Sequence, residues 1–438
     1  FLVLQAEDLD SDLRSCGAIK RALRTAQVEI ESETGDSPAA ARALRPQPVP
    51  VDLKVVLIGT TDLYHTLLNA DDDFVKLFKV KAEFDTEMEL GPQAITEFAC
   101  LVRAVCDEDG TPPFSAAGVA AIVEEAVRMA GQRNRITTRF TKVADLIRES
   151  AFWARRRRPT RIDAEDVHRA LSERRSRVNL IEEKAQRMIR EGVILIDTEG
   201  SALGQINGLA VLDVGDYRFG RPTRITASVS AGVSGVVNIE RMADLSGRYH
   251  DKGILIISGY LQETFATDHP LAIAASSTLE QSYDEVDGYA ATTAEIFALV
   301  SALSGRPARQ DLAVTGSMNQ KGQVQAVGGV NEKIEGFFDL CLARGLTGTQ
   351  GVVIPGANLP HLMLRPQVVQ AVRERKFHIY AINRVEEGVE LLLGAPAGSR
   401  NGTRDFPTDS LFAEVQHRLR QLSEASRDFL PWREPASS

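Results

Sequence analysis

The chain is poor in the residues on which many small reactive sites are built. Its 438 residues include four cysteines (Cys16, Cys100, Cys106 and Cys341), and no two of them form a Cys-x-x-Cys pair. That spacing excludes a disulfide framework or a cysteine-held zinc, and it reads as reduced thiols of a cytoplasmic protein. The seven histidines are scattered, with no pair at metal-ligand spacing. There is no His-Glu-x-x-His, no Gly-x-Ser-x-Gly and no glycine-rich phosphate loop, so the commonest zinc-peptidase, hydrolase and nucleotide signatures are missing. No apolar run approaches the roughly 18 residues that cross a bilayer. The opening Phe1-Leu2-Val3-Leu4 is too short for a signal peptide and has no basic residues ahead of it. It starts without methionine and in the middle of an apolar run, as a fragment would.

What is present is ordinary for a globular protein, with 43% hydrophobic and 25% charged residues. The length suggests two to four domains of roughly 100–200 residues each. A formal net charge of −9 argues against a general nucleic-acid binder. The basic run Arg155-Arg156-Arg157-Arg158 is read as a solvated helix end, where cations offset the helix dipole.

Along the chain, Phe1–Leu4 and Leu53–Ile58 read as buried parallel strands. Helical spacing runs over residues 12–27, and residues 37–50 read as a loop. Thr60 and Thr61 close the second strand, at the end where open α/β sheets bind ligands. Helices are predicted near 92–107, 115–131, 138–155 and 163–175, with Asp163 as an N-cap. A further helix over 174–191 bridges to the next region. After Gly192 the pattern turns strand-like at 193–196, 206–212, 224–229 and 271–276. Residues 253–266 fit strand or buried helix equally. A helix over 290–303 is followed by a hairpin of 312–316 with 323–327. Strands at 351–354 and 377–381 flank a helix near 367–375, and 407–425 reads as a terminal helix.

One stretch carries more chemistry than the others. After Gly328-Gly329, the residues Val330, Ile334, Phe337 and Cys341 share one helical face, and Lys333 projects from it. A lysine held among apolar groups loses its proton readily and can act as a general base. The alternative is a lysine lying across apolar surface with its amine in water.

The motifs around it resemble the proteolytic domain of Lon proteases. They are Asp287-Gly288-Tyr289-Ala290-Ala291, Ala313-Val314-Thr315-Gly316-Ser317, Gly322-Gln323-Val324 and Gly328-Gly329-Val330-Asn331-Glu332-Lys333. With Gly204-Gln205-Ile206-Asn207-Gly208-Leu209 and His250-Asp251-Lys252-Gly253, they are most similar to the shorter B- and C-type Lon-like enzymes. The resemblance spans residues 175–395. It implies a Ser–Lys peptidase in which position 290 holds the nucleophile and Lys333 the base. It also implies that Thr315 orients the amine and that Asp287 and His250 line the site. Position 290 is alanine here, so the attacking hydroxyl is missing. That alanine fits either deliberate replacement or a natural pseudoprotease.

The first half resembles the later part of an AAA+ ATPase module. Gln5 stands where relatives carry an acidic metal-binding residue. Ile58-Gly59-Thr60-Thr61 is similar to the strand that senses the terminal phosphate, and Arg139 matches an arginine that reaches the nucleotide. The expected fold is therefore α/β (α+β) in four parts. Residues 1–90 form a partial AAA+ α/β module, 91–175 an all-helical small domain, 176–395 an α/β Lon-type Ser–Lys peptidase domain and 396–438 a C-terminal tail or helix. The resemblance further implies ATP and Mg2+ use by the full-length parent, hexameric rings, and unfolded or damaged proteins as substrates, with no resident metal in the peptidase site. The alternative is a non-catalytic ring that binds unfolded polypeptide.

Overall fold

The computed structural model of the chain describes residues 1–11, 13–29, 47–157, 160–215, 217–266, 271–281, 288, 290–400 and 405–429. These fall into two units, Phe1–Asp85 and Thr86–Ser438.

In the first unit, β1 (Leu2–Gln5) pairs in parallel with β4 (Val55–Ile58), placing Gln5 opposite Ile58. Around this pair lie α1 (Ala6–Ser11), α2 (Leu13–Thr25), the short antiparallel β2 (Gln27–Val28) and β3 (Val49–Pro50), α3 (Thr61–Ala70) and α4 (Phe74–Leu77). The two parallel strands expected to be buried are only half covered. Val3, Val56 and Ile58 are exposed, because a sheet of two strands has too little structure packed on its faces. Most of the loop expected over 37–50 lies outside the described residues.

The second unit opens with a helical body. It comprises β5 (Glu87–Glu89), α5 (Pro92–Asp109), α6 (Ala116–Ala130), β6 (Arg135–Thr137), α7 (Phe140–Ala154) and α8 (Ala164–Val178). The ends of α6 show why the sequence breaks there. Ser115 accepts from the Gly118 N–H at 3.1 Å, and Gly131 closes the helix in the left-handed conformation. Phe98, Val102, Ile122, Val127, Leu146 and Ile147 form the core. Because β5 pairs with β6, residues 87–89 belong with this body and not with the first unit. Arg156 lies over Trp153 and Arg157 pairs with Asp166, so the basic run is engaged at a helix end. The bridging helix is broken in two at Asn179, and α9 (Leu180–Arg190) follows.

The rest is a mixed seven-stranded sheet flanked by helices. Its elements are β7 (Ser201–Ala202), β8 (Gln205–Asp213), β9 (Arg218–Ala231), β10 (Gly235–Asn238), α10 (Ile239–Met242), α11 (Arg248–Phe265), β11 (Ile273–Leu279), α12 (Thr292–Ser304), β12 (Ala308–Arg309), β13 (Leu312–Val314), β14 (Ser317–Met318), β15 (Val324–Gln325), α13 (Val330–Arg344), β16 (Gly351–Pro355), α14 (Pro366–Arg373), β17 (His378–Ile382), α15 (Val385–Leu393) and α16 (Leu411–Phe429). The sheet order is β10-β11-β9-β8-β13-β16-β17. Three expectations need correction. Residues 193–196 form no strand, since Ile194 and Ile196 pack in a small satellite cluster with Ile189 and Leu340. The ambiguous 253–266 stretch is helix. The hairpin is the short pair β14–β15, because β13 is taken up between β8 and β16.

The terminal helix is no loose tail. Leu411, Phe412, Val415, Leu419 and Leu422 share one core with Ile296, Phe297 and Val300 of α12. Among the described residues no helix is long and apolar enough to cross a membrane.

Two glycines let β9 cross α13 at backbone contact. A Cβ on Gly220 would sit 2.0 Å from the Glu332 carbonyl oxygen, and one on Gly336 would sit 2.1 Å from the Gly220 oxygen. Both clashes are with backbone, which cannot swing aside. Gly336→Ala is therefore expected to lower stability by on the order of 2 kcal/mol or more. Urea denaturation would measure this, and an unchanged midpoint would refute the crossing.

Candidate active site

Lys333 sits in the first turn of α13, just after Gly329 turns the chain at a φ of 66°. Val330, Ile334, Phe337 and Cys341 lie in one core with Ala313 and Val352 of the sheet. Lys333 is drawn in with that face and is only 4% exposed, so its amine does not reach water. Nζ donates to Thr315 Oγ1 at 3.0 Å. Burial holds the amine down from 10.5 to about 8, with Glu332 opposing the shift and the Arg218 guanidinium adding to it. Near neutral pH a useful fraction of this lysine is an unprotonated base.

Thr315 follows the last residue of β13, and its N–H donates to the Val353 carbonyl at 3.0 Å, so the sheet ladder fixes it. Its hydroxyl also donates to the Ala290 carbonyl at 3.4 Å. The Gly316 N–H donates to the same carbonyl at 2.9 Å, and Thr293 Oγ1 returns a bond to the Gly316 oxygen at 2.9 Å. The turn at 290–293 is thereby clipped to 315–316, and α12 starts at Thr292. Position 290 thus lies beside the positive end of a helix. Among the candidate residues, the fold brings Ala290, Thr315 and Lys333 together. Asp287, with its neighbour Tyr289, lies outside the described residues.

His250 is placed differently. It is fully buried in the first turn of α11, 3.0 Å from Asn238 Nδ2 and 3.7 Å from Glu295 Oε1. Its neighbours are therefore polar groups packed behind α12. Glu240 Oε1 accepts from the Thr278 hydroxyl and the Leu279 N–H, both at 2.7 Å, and Ser277 reaches Glu295 Oε1 at 3.4 Å. Burial first, and the Glu240 carboxylate second, push the Glu295 carboxyl up to about 8. Between pH 4.5 and 8 an unfolded chain would ionise this group while the folded chain keeps it neutral, so folding stability falls as pH rises through that window. Glu295→Gln is expected to stabilise the protein by roughly 4 kcal/mol at pH 8 and to have little effect near pH 4.5. Melting temperatures at the two pH values would test this.

Side chains that no motif announced complete the surroundings. Asn358 pairs with both the N–H and the carbonyl of Val327, each at 2.9 Å, which fixes the chain just before the two glycines. In the first unit, Thr60 caps α3 by accepting from the Leu63 N–H at 3.2 Å, while Thr61 and Gln5 are exposed. Arg139, in the second unit, is also exposed at the start of α7. Gln5 offers an amide where a divalent cation favours a carboxylate, and the Thr60 hydroxyl already serves as a cap. These residues fit nucleotide and magnesium only in part. Among the described residues no three His, Cys, Asp or Glu side chains are grouped to hold a metal ion.

A buried lysine joined through a threonine to the turn before a helix is the arrangement that the resemblance to Lon-type peptidases leads one to expect, with alanine at position 290 of that turn. The comparisons agree with that class. Residues 1–85 match the LonB-like AAA domain, 113–177 the archaeal LonB AAA+ ATPase LID domain and 285–395 the Lon protease C-terminal proteolytic domain. A Lon protease homolog of Escherichia coli is 34% identical over 404 residues, covering 89% of this chain and 66% of that protein. One from Haemophilus influenzae is 30% identical over 435 residues, covering 97% and 70%. An archaeal Lon protease of Pyrococcus abyssi is 28% identical over 374 residues, covering 82% and 35%. The chain belongs to the Lon protease family, and it spans about two thirds of the length of the two bacterial relatives.

Proposed function

We propose that the chain is the peptidase-bearing part of a Lon-like enzyme that degrades unfolded or damaged proteins by a Ser–Lys mechanism, inactive as it stands because residue 290 is alanine. The observation that carries this reading is the buried Lys333 amine on Thr315, whose hydroxyl reaches the Ala290 carbonyl. With serine at 290, neutral Lys333 would take the hydroxyl proton as the oxygen attacks a peptide carbonyl. It would then return that proton to the leaving amine, and water would hydrolyse the acyl-enzyme. Thr315 holds the amine in line, and the start of α12 favours the developing oxyanion. The test is peptide hydrolysis by Ala290→Ser with and without Lys333.

Hexameric rings, ATP with Mg2+ in the full-length parent and a cytoplasmic location belong to the same proposal, as does a four-part division with its first boundary at 85, ahead of β5, and the others at 175 and 395. They rest on family membership. Because Gln5 and Thr60 fit nucleotide only in part, no step here runs through it. A second reading has one observation in its favour, the methyl group at 290 itself. On that reading the chain is a non-catalytic ring that holds unfolded polypeptide, and Ala290→Ser would bind peptide without cutting it.

A further inference from the structure

The helix that carries Lys333 is held from outside the peptidase core. Glu335, two residues beyond the lysine, is nearly buried and takes a two-pronged contact from Arg128 at the end of α6, at 2.7 and 2.8 Å. The same Arg128 Nη1 donates to the Met363 carbonyl at 2.6 Å. Met363 and its neighbour His361 are in turn tied to Asn331, two residues before the lysine. The Met363 N–H donates to Asn331 Oδ1 at 2.8 Å, and Asn331 Nδ2 donates to the His361 carbonyl at 2.9 Å. The Arg365 N–H completes the frame by donating to Glu335 Oε1 at 2.9 Å. Lys333 is thus bracketed by two residues that both anchor to the 361–365 segment, and two guanidiniums tie that segment to α13: that of Arg128, and that of Arg365, which lies 3.1 Å from Glu335 Oε2 and donates to Asp339 Oδ1 and Oδ2 at 2.9 and 2.8 Å.

We propose that Arg128 is a positioning residue for Lys333, locking the first two turns of α13 against residues 361–365 and so keeping the amine on Thr315. The proposal rests on the reading of Lys333 as the base. The forked guanidinium matters because it holds two acceptors on different elements in one plane, which an ammonium cannot do. The charges that act on the lysine are Glu332 and Arg218, with the Thr315 hydroxyl as its hydrogen-bond partner. Loss of Arg128 therefore acts through geometry, by letting the first turn of α13 drift and water reach Nζ.

The experiment is lysine side-chain NMR on the selectively labelled full chain, with the Lys333 signal assigned by Lys333→Arg. In the parent chain Lys333 is expected to titrate near 8. Arg128→Gln is expected to raise that midpoint by about one unit as the amine becomes hydrated, and Arg128→Lys by less. Arg174→Gln, which breaks the Glu149 pair elsewhere in the helical body, should leave it in place and so controls for loss of stability. In an Ala290→Ser background, Arg128→Gln should lower kcat about tenfold with KM little changed. A folded Arg128→Gln chain whose Lys333 still titrates near 8 would overturn the positioning role and leave the base reading intact. A parent chain whose Lys333 titrates near 10.5 would overturn the base reading, and the positioning role with it. Should Arg128→Gln fail to fold, the Arg128→Lys midpoint decides, and no movement there counts against the proposal.

Discussion

Ala290→Ser is expected to convert the chain from inert to hydrolytic toward unfolded peptides, and Lys333→Ala in that background to remove about a thousandfold of the gain. The argument runs through proton bookkeeping. A serine hydroxyl is a weak nucleophile until a base accepts its proton, and the fold places one buried nitrogen at that turn, Lys333 on Thr315. The base must be neutral, so the rate should climb with pH and level off above about 8, where burial has set the lysine. Lys333→Arg should be as dead as Lys333→Ala, because a guanidinium keeps its proton throughout the accessible range. The measurement is initial rate against pH for the three variants. Full hydrolysis without Lys333, or a flat profile from pH 6 to 10, would remove the lysine from the mechanism.

The same burial that makes a base carries a stability cost, and Lys333→Met should recover it. In the unfolded chain the amine titrates near 10.5, and in the folded chain near 8. Below pH 8 both states carry the proton, but only the folded state holds it in an apolar site. The gap corresponds to about 3 kcal/mol lost from stability at pH 7. The loss is relieved as pH rises from 8 to 10.5, where the folded state has released the proton and the unfolded state has not. Methionine fills similar volume without charge, so the variant should be more stable than the parent by about 3 kcal/mol at pH 7, with the advantage gone above pH 10.5. Paired denaturation curves at the two pH values test this. An advantage that persists undiminished at high pH would mean packing, not charge, sets the difference.

The reason the lysine was legible from sequence is local. Val330, Ile334, Phe337 and Cys341 recur at helical spacing, which puts residue 333 on the apolar face but leaves open an amine reaching water; the Lon-like motifs around it favour the base. Position 290 is readable only through the resemblance of Asp287-Gly288-Tyr289-Ala290-Ala291 to the Lon proteolytic motif, since nothing in its own spacing marks an alanine as functional. What failed was non-local. Residues 193–196 look like a strand by composition, yet Ile194 and Ile196 pack against Ile189 and Leu340 instead. β13 looked like half of a hairpin but is claimed by β8 and β16. Glu240 and Glu295 gave no signal, because two isolated glutamates reveal nothing until α10 and α12 pack on β11. Arg128 and Glu335 meet only when the helical body and α13 fold together. His250 was singled out by its motif, and the fold shows that it contacts Asn238 and Glu295 rather than Lys333.

The packing of α16 on α12 bears on the order of events during synthesis. The helix that begins beside position 290 cannot be fully covered until Leu411, Val415, Leu419 and Leu422 have been made and folded back. A nascent chain that has already produced Lys333 and Thr315 still lacks one wall of their support. Burial of the helix that starts beside position 290 thus waits on nearly the whole of this stretch.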